Sequence, residues 1–282
     1  MLDKFLIGVD TESEKKTGVT AILCPEGAVG GVSVRGGAPA THETDLLRAE
    51  NTVQKINAVV LAGGSAFGLE SIAGVMQYLS EKGCGYDAGG YKVPICVGAA
   101  IYDLEYGEFC YPDKKAGYRA AAAASEVRES VGSIGAGSGA TVAKLGGMAT
   151  AVPSGMAVVT KRIGELEVAV VSVVNALGNI YDPQTGKCLA SSEGTVIGNM
   201  NTTISCVLTN AKLTKAQANK LADTTQDAYA KCIRPVHTMY DGDSVFVMAS
   251  GEIDADMLAL QMIADELCCK AILRNFVPKQ LW

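Results

Sequence analysis

"GTVIGNMNTTISCVLTNA", residues 194–211, joins a loop rich in glycine and asparagine to an apolar segment that reads as a strand at 204–210. Asn201, Thr202 and Thr203 stand at the junction. Two β-branched residues opening a strand explain the threonines structurally. The same position also suits chemistry. A threonine hydroxyl is a weak nucleophile without a base beside it, and a threonine at the head of a chain carries that base in its own α-amino group. The unperturbed pKa of such an amine is roughly 7.7–8.0, close to working pH. An internal Thr202 gains the amine only if the Asn201–Thr202 bond is cut. The hydroxyl attacks the Asn201 carbonyl, the acyl group moves from nitrogen to oxygen, and water hydrolyses the ester. Thr203 and Ser205 are the alternative nucleophiles.

Outward from this junction the chain reads as strands and helices in groups. "FLIGVD" (5–10), "GVTAILCP" (18–25) and "GAVGGVSVRGG" (28–37) read as early strands. "INAVVLAGGSAFGLESIAGVMQYLSEKG" is a strand, a glycine turn and a helix, with Ser65 as N-cap, apolar residues at Leu69, Ile72, Met76 and Leu79, and a stop at Gly83. "VPICVGAAIYDL" (93–104) reads as a buried strand and its exit, and "GYRAAAAASEVRES" (117–130) as a helix. "GMAVVTKRIG" and "LEVAVVSVVNALGNIYD" form a hairpin hinged at Gly164. Thr214 and Gln217 make a capping box for a helix over about 214–232. A strand at 243–252 and a helix from about Asp254 to Arg274 close the chain. Regular β-α-β alternation is absent, so the pattern predicts an α+β layered fold over a doubly wound sheet.

Composition limits the function classes. The 282 residues suit one domain, 1–282, and a 48% hydrophobic share fills a large core. Charged residues are only 19%, which predicts that part of the surface is covered in a homo-oligomer. The net charge of −6, with no cluster of Lys or Arg, argues against nucleic acid as a partner. "MLDKFLIGVD" is not expected to be a signal peptide, and the apolar runs fall short of the roughly 20 residues a bilayer requires. Nine cysteines, irregularly spaced and without C-x-x-C, predict reduced core thiols in a cytoplasmic protein and no structural zinc site.

"SIGAGSGATVAKLGG" (133–147) contains G-x-G-x-x-A at Gly135, Gly137 and Ala140, but a helix is expected before it and no acidic residue follows at the dinucleotide spacing. It reads instead as a close-packed loop or a glycine-rich wall holding Lys144. "GGSAF" lacks the second glycine of a nucleophile elbow. Only His42 and His237 are available to a Ser-His-Asp enzyme, and each reads as a structural hydrogen-bonder. "YDGDSVF" puts Asp241 and Asp243 two apart, on one face if extended, although an ordinary Asp-Gly turn has the same signature.

Taken together, "VRGGAP" (34–39), "ETDLL" (43–47), "LAGGSAFGLE" (61–70), "VPICVGAAIYDL" (93–104), "GATVAKLGG" (139–147), "VVNALGN" (173–179), "NTTISCVLTNAKLT" (201–214) and "IRPVHTMYDGDSVF" (233–246) resemble the self-processing L-aminopeptidase/D-alanyl-esterase/amidase family. That family includes the β-peptidyl aminopeptidases and the 6-aminohexanoate-oligomer endohydrolases. The resemblance implies a four-layer αββα sandwich and autoproteolysis into an α chain 1–201 and a β chain 202–282. It implies Thr202 as nucleophile after Asn201, Asp241 and Asp243 orienting the new amine and hydroxyl, Lys144 as the nearby lysine, and Asn175 in the oxyanion site. Asn-Thr with "DGD" resembles the threonine branch. Lys144, as a cation, is expected to depress the pKa of the Thr202 amine, with Asn175 and a backbone N–H of the glycine loop as oxyanion donors. No metal or organic cofactor is implied. The expected partner is a small peptide or amide, and the expected assembly a tetramer of αβ units. Val97-Gly98 replaces a proline common in the family. The alternatives are an acyltransferase of the ornithine-acetyltransferase type and a non-catalytic ligand-binding protein, which predicts an intact chain of 29.2 kDa.

Overall fold

Strands buried on both faces organise the molecule, and a computed structural model describes residues 2–194 and 200–277 of it. In chain order the principal elements are β1 (Leu6–Glu12), β2 (Thr17–Val34), β3 (Lys55–Ala62), α1 (Ser71–Glu81), β4 (Cys96–Ala100), α2 (Lys114–Ala122), β5 (Ser130–Gly132), β6 (Met156–Ile163), β7 (Leu166–Asn175), β8 (Thr202–Ala211), α3 (Lys215–Thr225), α4 (Asp227–Cys232), β9 (Ser244–Ile253) and α5 (Met257–Leu273). The strand order is β4-β3-β2-β9-β8-β7-β6-β5, with β1 also on β2. Pairs β3–β4 and β8–β9 are parallel; the others along this path are antiparallel.

Successive residues of a strand face opposite sides, so a strand sandwiched between two cores must be apolar throughout. In β3, Ala58, Val60 and Ala62 face α1 and α2, while Val59 and Leu61 face the other half of the sheet. In β7, Val168, Val170 and Val174 pack under α3, α4 and α5, while Ala169, Val171 and Val173 join the central core. Three apolar layers therefore lie between four structural ones: helices, sheet, sheet, helices. This is the αββα sandwich. The helices α1 and α2 meet backbone to backbone, since a Cβ on Gly74 would lie 1.8 Å from the Lys114 carbonyl oxygen and one on Gly117 1.8 Å from that of Ser71.

Several local expectations are corrected. The segments 18–25 and 28–34 form one strand, β2, with a register shift between Leu23 and Ala28, and Arg35, Gly36 and Gly37 lie beyond its end. Its first part pairs with β1 and β3 and its last part with β9, so it carries the chain from one half of the sandwich to the other. The alanine-rich helix starts earlier and stops sooner than 117–130, because Asp113 caps it by accepting the Ala116 N–H at 2.8 Å. Ser65 is not an N-cap; it occupies the first helical position after Gly64 and has a left-handed φ of 55°. The capping box of Thr214 and Gln217 is present, but the helix breaks at Gln226 into α3 and α4. The hairpin hinge at Gly164 matches its expected position, with Ile163 paired to Leu166. Residues 195–199 of the opening loop lie outside the described residues. No helix among those described is long and apolar enough to cross a membrane.

Candidate active site

β8 lies at the centre of the sandwich, between β7 and β9, and its first residue is Thr202. Thr202 pairs with Asn175, the last residue of β7. Its neighbour Asn201 forms a parallel bridge with Asp241, just before β9. These two pairings bring together four of the residues singled out in the sequence: Asn175, Asn201, Thr202 and Asp241. The Asn201 N–H donates to the Tyr240 carbonyl at 2.9 Å, and the Gly242 N–H donates to the Asn201 carbonyl at 2.8 Å. The Thr202 hydroxyl contacts that same carbonyl oxygen. The backbone donor on the Asn201 carbonyl comes from the acidic turn.

The turn is held by side chains and by "VRGGAP". Asp241 accepts the Thr238 N–H at 2.6 Å. Asp243 accepts the Thr203 N–H on Oδ1 at 2.7 Å, and on Oδ2 both the backbone N–H of His237 at 3.1 Å and its ring Nδ1 at 2.8 Å. Ala38 N–H donates to the Asp241 carbonyl at 2.8 Å and Arg35 N–H to that of Asp243 at 3.0 Å. Gly36 has no room for a side chain, since a Cβ would lie 2.2 Å from the Asp241 oxygen. Arg35 is anchored by ion pairs with Asp223 and Asp227 at 2.7 and 2.9 Å. Burial, then the charge of Asp243, raises the Asp241 carboxyl above the ordinary range.

Lys144 is 2% exposed. Its loop is pinned to the end of β7 by N–H bonds from Ala143 to Gly178 O (3.0 Å) and from Lys144 to Leu177 O (2.9 Å), with Ala143 at a left-handed φ of 55°. The ammonium reaches the Asn175 side-chain oxygen at 2.9 Å. Burial pushes Lys144 down to about 7, against the charges of Asp241, Glu105 and Asp103. Asn175 accepts from Lys144 and the Thr141 N–H, and donates to the Tyr102 carbonyl at 2.7 Å. Its amide orients the lysine, and one amide proton is committed to Tyr102.

Asp103, which the sequence reading passed over, is also buried here. It accepts the Gly64 N–H at 2.6 Å, and burial pushes it up to about 6. With Tyr102, Glu105, Tyr106, Thr141, Lys144, Met148 and Met200 it lines a narrow crevice. A larger surface hollow of about 620 Å³, along α5, contains none of the expected site residues. The glycine stretch divides in two. Gly135–Gly137 forms a buried 3-10 turn whose Ala136 N–H bonds Thr20 Oγ1 at 3.2 Å, and the residues after Gly139 lead to Lys144. The short strand β5, rather than the expected helix, precedes it.

Comparison with known proteins bears on the family and the fold. A family model described as peptidase family S58 matches residues 5–275. An uncharacterized aminopeptidase of Mycobacterium leprae is 40% identical over 271 residues, 86% of this chain and 73% of that one. A 6-aminohexanoate-oligomer endohydrolase of Agromyces is 31% identical over 270 residues, 88% and 73% of the two chains. Among solved structures, an L-aminopeptidase D-Ala-esterase/amidase of Ochrobactrum anthropi, described as a variant of the Ntn hydrolase fold, superposes with a TM-score of 0.74 over 97% of this chain and 84% of that one, at 15% identity. A β-aminopeptidase of Burkholderia gives 0.66 over 96% and 83%, at 15% identity. The fold is that of the N-terminal-nucleophile hydrolases, and the protein is a hydrolase of peptide or amide bonds. It belongs to peptidase family S58.

Proposed function

We propose that this protein cleaves itself between Asn201 and Thr202 and then uses Thr202 as a terminal nucleophile against small peptides, amino-acid amides or oligoamides. The observation that carries the reading is the Thr202 hydroxyl in contact with the Asn201 carbonyl oxygen, while that oxygen accepts the Gly242 N–H at 2.8 Å. The attacking group and an oxyanion donor then meet on one peptide bond. Thr203 and Ser205 are poorer candidates. Both are fully buried, and the Ser205 hydroxyl is tied to Ser172 and Tyr229 at 2.8 and 2.7 Å.

In maturation, neutral Lys144 takes the hydroxyl proton as Oγ1 attacks the Asn201 carbon, and Gly242 N–H supports the developing oxyanion. Collapse breaks the C–N bond, leaving an ester on Thr202 and a free α-amine that has gained a proton. Water then releases Asn201 as a carboxylate. In turnover the Thr202 amine takes the hydroxyl proton and returns it to the leaving amine, and an acyl-enzyme is hydrolysed by water. Asp243, already on the Thr203 N–H, and Asp241 orient the new terminus. The relatives named as aminopeptidases and oligomer endohydrolases support an aminopeptidase or amidase activity with oligoamide cleavage as the branch-level option. We infer also a homo-oligomer, from the lean charged surface, and a cytoplasmic location, supported by nine free cysteines.

Intact mass tests the central reading. Purified protein is expected as two fragments, 1–201 and 202–282, and Thr202→Ala as one chain of 29.2 kDa. A wild-type chain that stays whole after long incubation rejects self-processing. Hydrolysis of an amide without acyl transfer to ornithine separates this reading from an acyltransferase.

A further inference from the structure

His237 takes no part in the steps above, yet its contacts converge on one of the residues that do. Asp243 is 1% exposed, and its two oxygens are divided between two tasks. Oδ1 accepts the N–H of Thr203, the residue after the scissile bond, at 2.7 Å. Oδ2 accepts from His237 twice, through the backbone N–H at 3.1 Å and the ring Nδ1 at 2.8 Å. Rotation of a carboxylate about its last bond is soft, so the partners of one oxygen decide where the other points. Any residue at 237 supplies the backbone donor; only the side chain supplies the second. A carboxylate accepts and does not donate, so Nδ1 carries the hydrogen of this bond. The backbone at His237 is left-handed, with φ 56°, a conformation that asparagine and glycine adopt with least strain. The outer side of the ring lies near Tyr229 of α4, with centroids 6.0 Å apart, and Tyr229 in turn bonds Ser205 of β8.

We propose that the His237 imidazole is the positioning residue for Asp243, holding the carboxylate at the rotation in which its other oxygen meets the backbone of Thr203 before cleavage and the freed Thr202 amine afterwards. This rests on Thr202 being the nucleophile. In this proposal the ring acts only through Asp243.

The test compares His237→Gly, His237→Asn and Asp243→Ala. Glycine keeps the backbone donor and the left-handed turn but removes the ring. Asparagine keeps the turn and places an amide N–H where Nδ1 stood. Cleavage of full-length precursor is followed by intact mass, and kcat and KM of the processed protein are measured on amino-acid 4-nitroanilides. His237→Gly is expected to lower both the cleavage rate and kcat about 10- to 100-fold, as for a lost hydrogen bond to a charged group, with KM within about twofold. His237→Asn is expected to recover most of that loss. Wild-type cleavage and kcat in His237→Gly, with Asp243→Ala impaired, overturn the proposal and leave the nucleophile reading standing. Equal losses in the glycine and asparagine variants, with KM raised, also overturn it, because the ring then acts by packing on Tyr229. Wild-type behaviour of Asp243→Ala rejects the role of Asp243 itself, and the inference with it.

Discussion

Gly242 offers the sharpest test of the site, because one methyl group there attacks the geometry at the scissile bond and nothing remote. No left-handed backbone is needed at Gly242, so alanine fits the chain conformation. The added Cβ would lie 2.7 Å from Thr202 Oγ1, 3.1 Å from the Ala38 carbonyl oxygen and 3.2 Å from Thr202 Cγ2. A contact of 2.7 Å cannot persist. Either Thr202 rotates and carries its hydroxyl away from the Asn201 carbonyl, or the turn withdraws and the 2.8 Å bond from Gly242 N–H lengthens. Both responses remove a component of the attack. Loss of one oxyanion donor slows a reaction by about 10²–10³-fold. The accompanying overpacking costs about 1–3 kcal/mol, and each kcal/mol lowers the melting temperature by roughly 2–4 °C in a chain of this order of size. Gly242→Ala is therefore expected to remain folded and to mature hundreds of times more slowly. The assay is the appearance of fragment 202–282 by intact mass at fixed pH, beside a thermal melt. Cleavage of Gly242→Ala at the wild-type rate, with the fold intact, refutes the argument that this turn and this hydroxyl act on the Asn201 carbonyl.

Other outcomes follow from the same geometry. If neutral Lys144 is the base for maturation, cleavage rises about tenfold per pH unit below its value of about 7 and levels off above it, since protonation removes the base as pH falls. Asp103→Asn removes a negative charge that raises Lys144, so Lys144 falls further and the acid limb of the cleavage profile moves to lower pH; an unmoved or upward-shifted limb contradicts the coupling. Lys144→Ala and Asp243→Ala are each expected to slow maturation or turnover by about 10²–10⁴-fold while circular dichroism stays native, and wild-type rates reject the assigned roles. Light scattering at micromolar concentration is expected to show an oligomer, and a monomer contradicts the inference from the lean surface.

Much of this molecule is legible in the order of its residues. Apart from the hydrogen-bonded Ser172 and Ser205, Val168 to Val174 and Ile204 to Leu208 are apolar on both faces because each strand lies between two cores, so their place in a layered fold follows from composition and period. Thr214 with Gln217 announces its helix through local bonds alone. Asn201, Thr202, Lys144, Asn175, Asp241 and Asp243 stand out through residue type and resemblance, and the fold gathers them around the start of β8. Where local signals competed, the reading slipped: Asp113 caps α2 before the alanines that suggested a later helix. The continuity of β2 was hidden by Pro25, Glu26 and Gly27, which read as a break and are accommodated within one strand.

Other features depend on contacts between residues far apart in the chain, and no local pattern encodes them. Gly242 reads as the middle of an Asp-Gly turn until the fold aims its N–H at the distant carbonyl of Asn201. Asp103 is an ordinary acid after a strand until the fold closes over it and raises it to about 6. Lys144 is an ordinary lysine in the sequence, and in the folded chain burial pushes it down to about 7. The sequence by itself determined which groups are available and which strands must be buried. The tertiary structure decided their protonation, their partners and which peptide bond they surround, because desolvation and strand register exist only once distant segments are packed together.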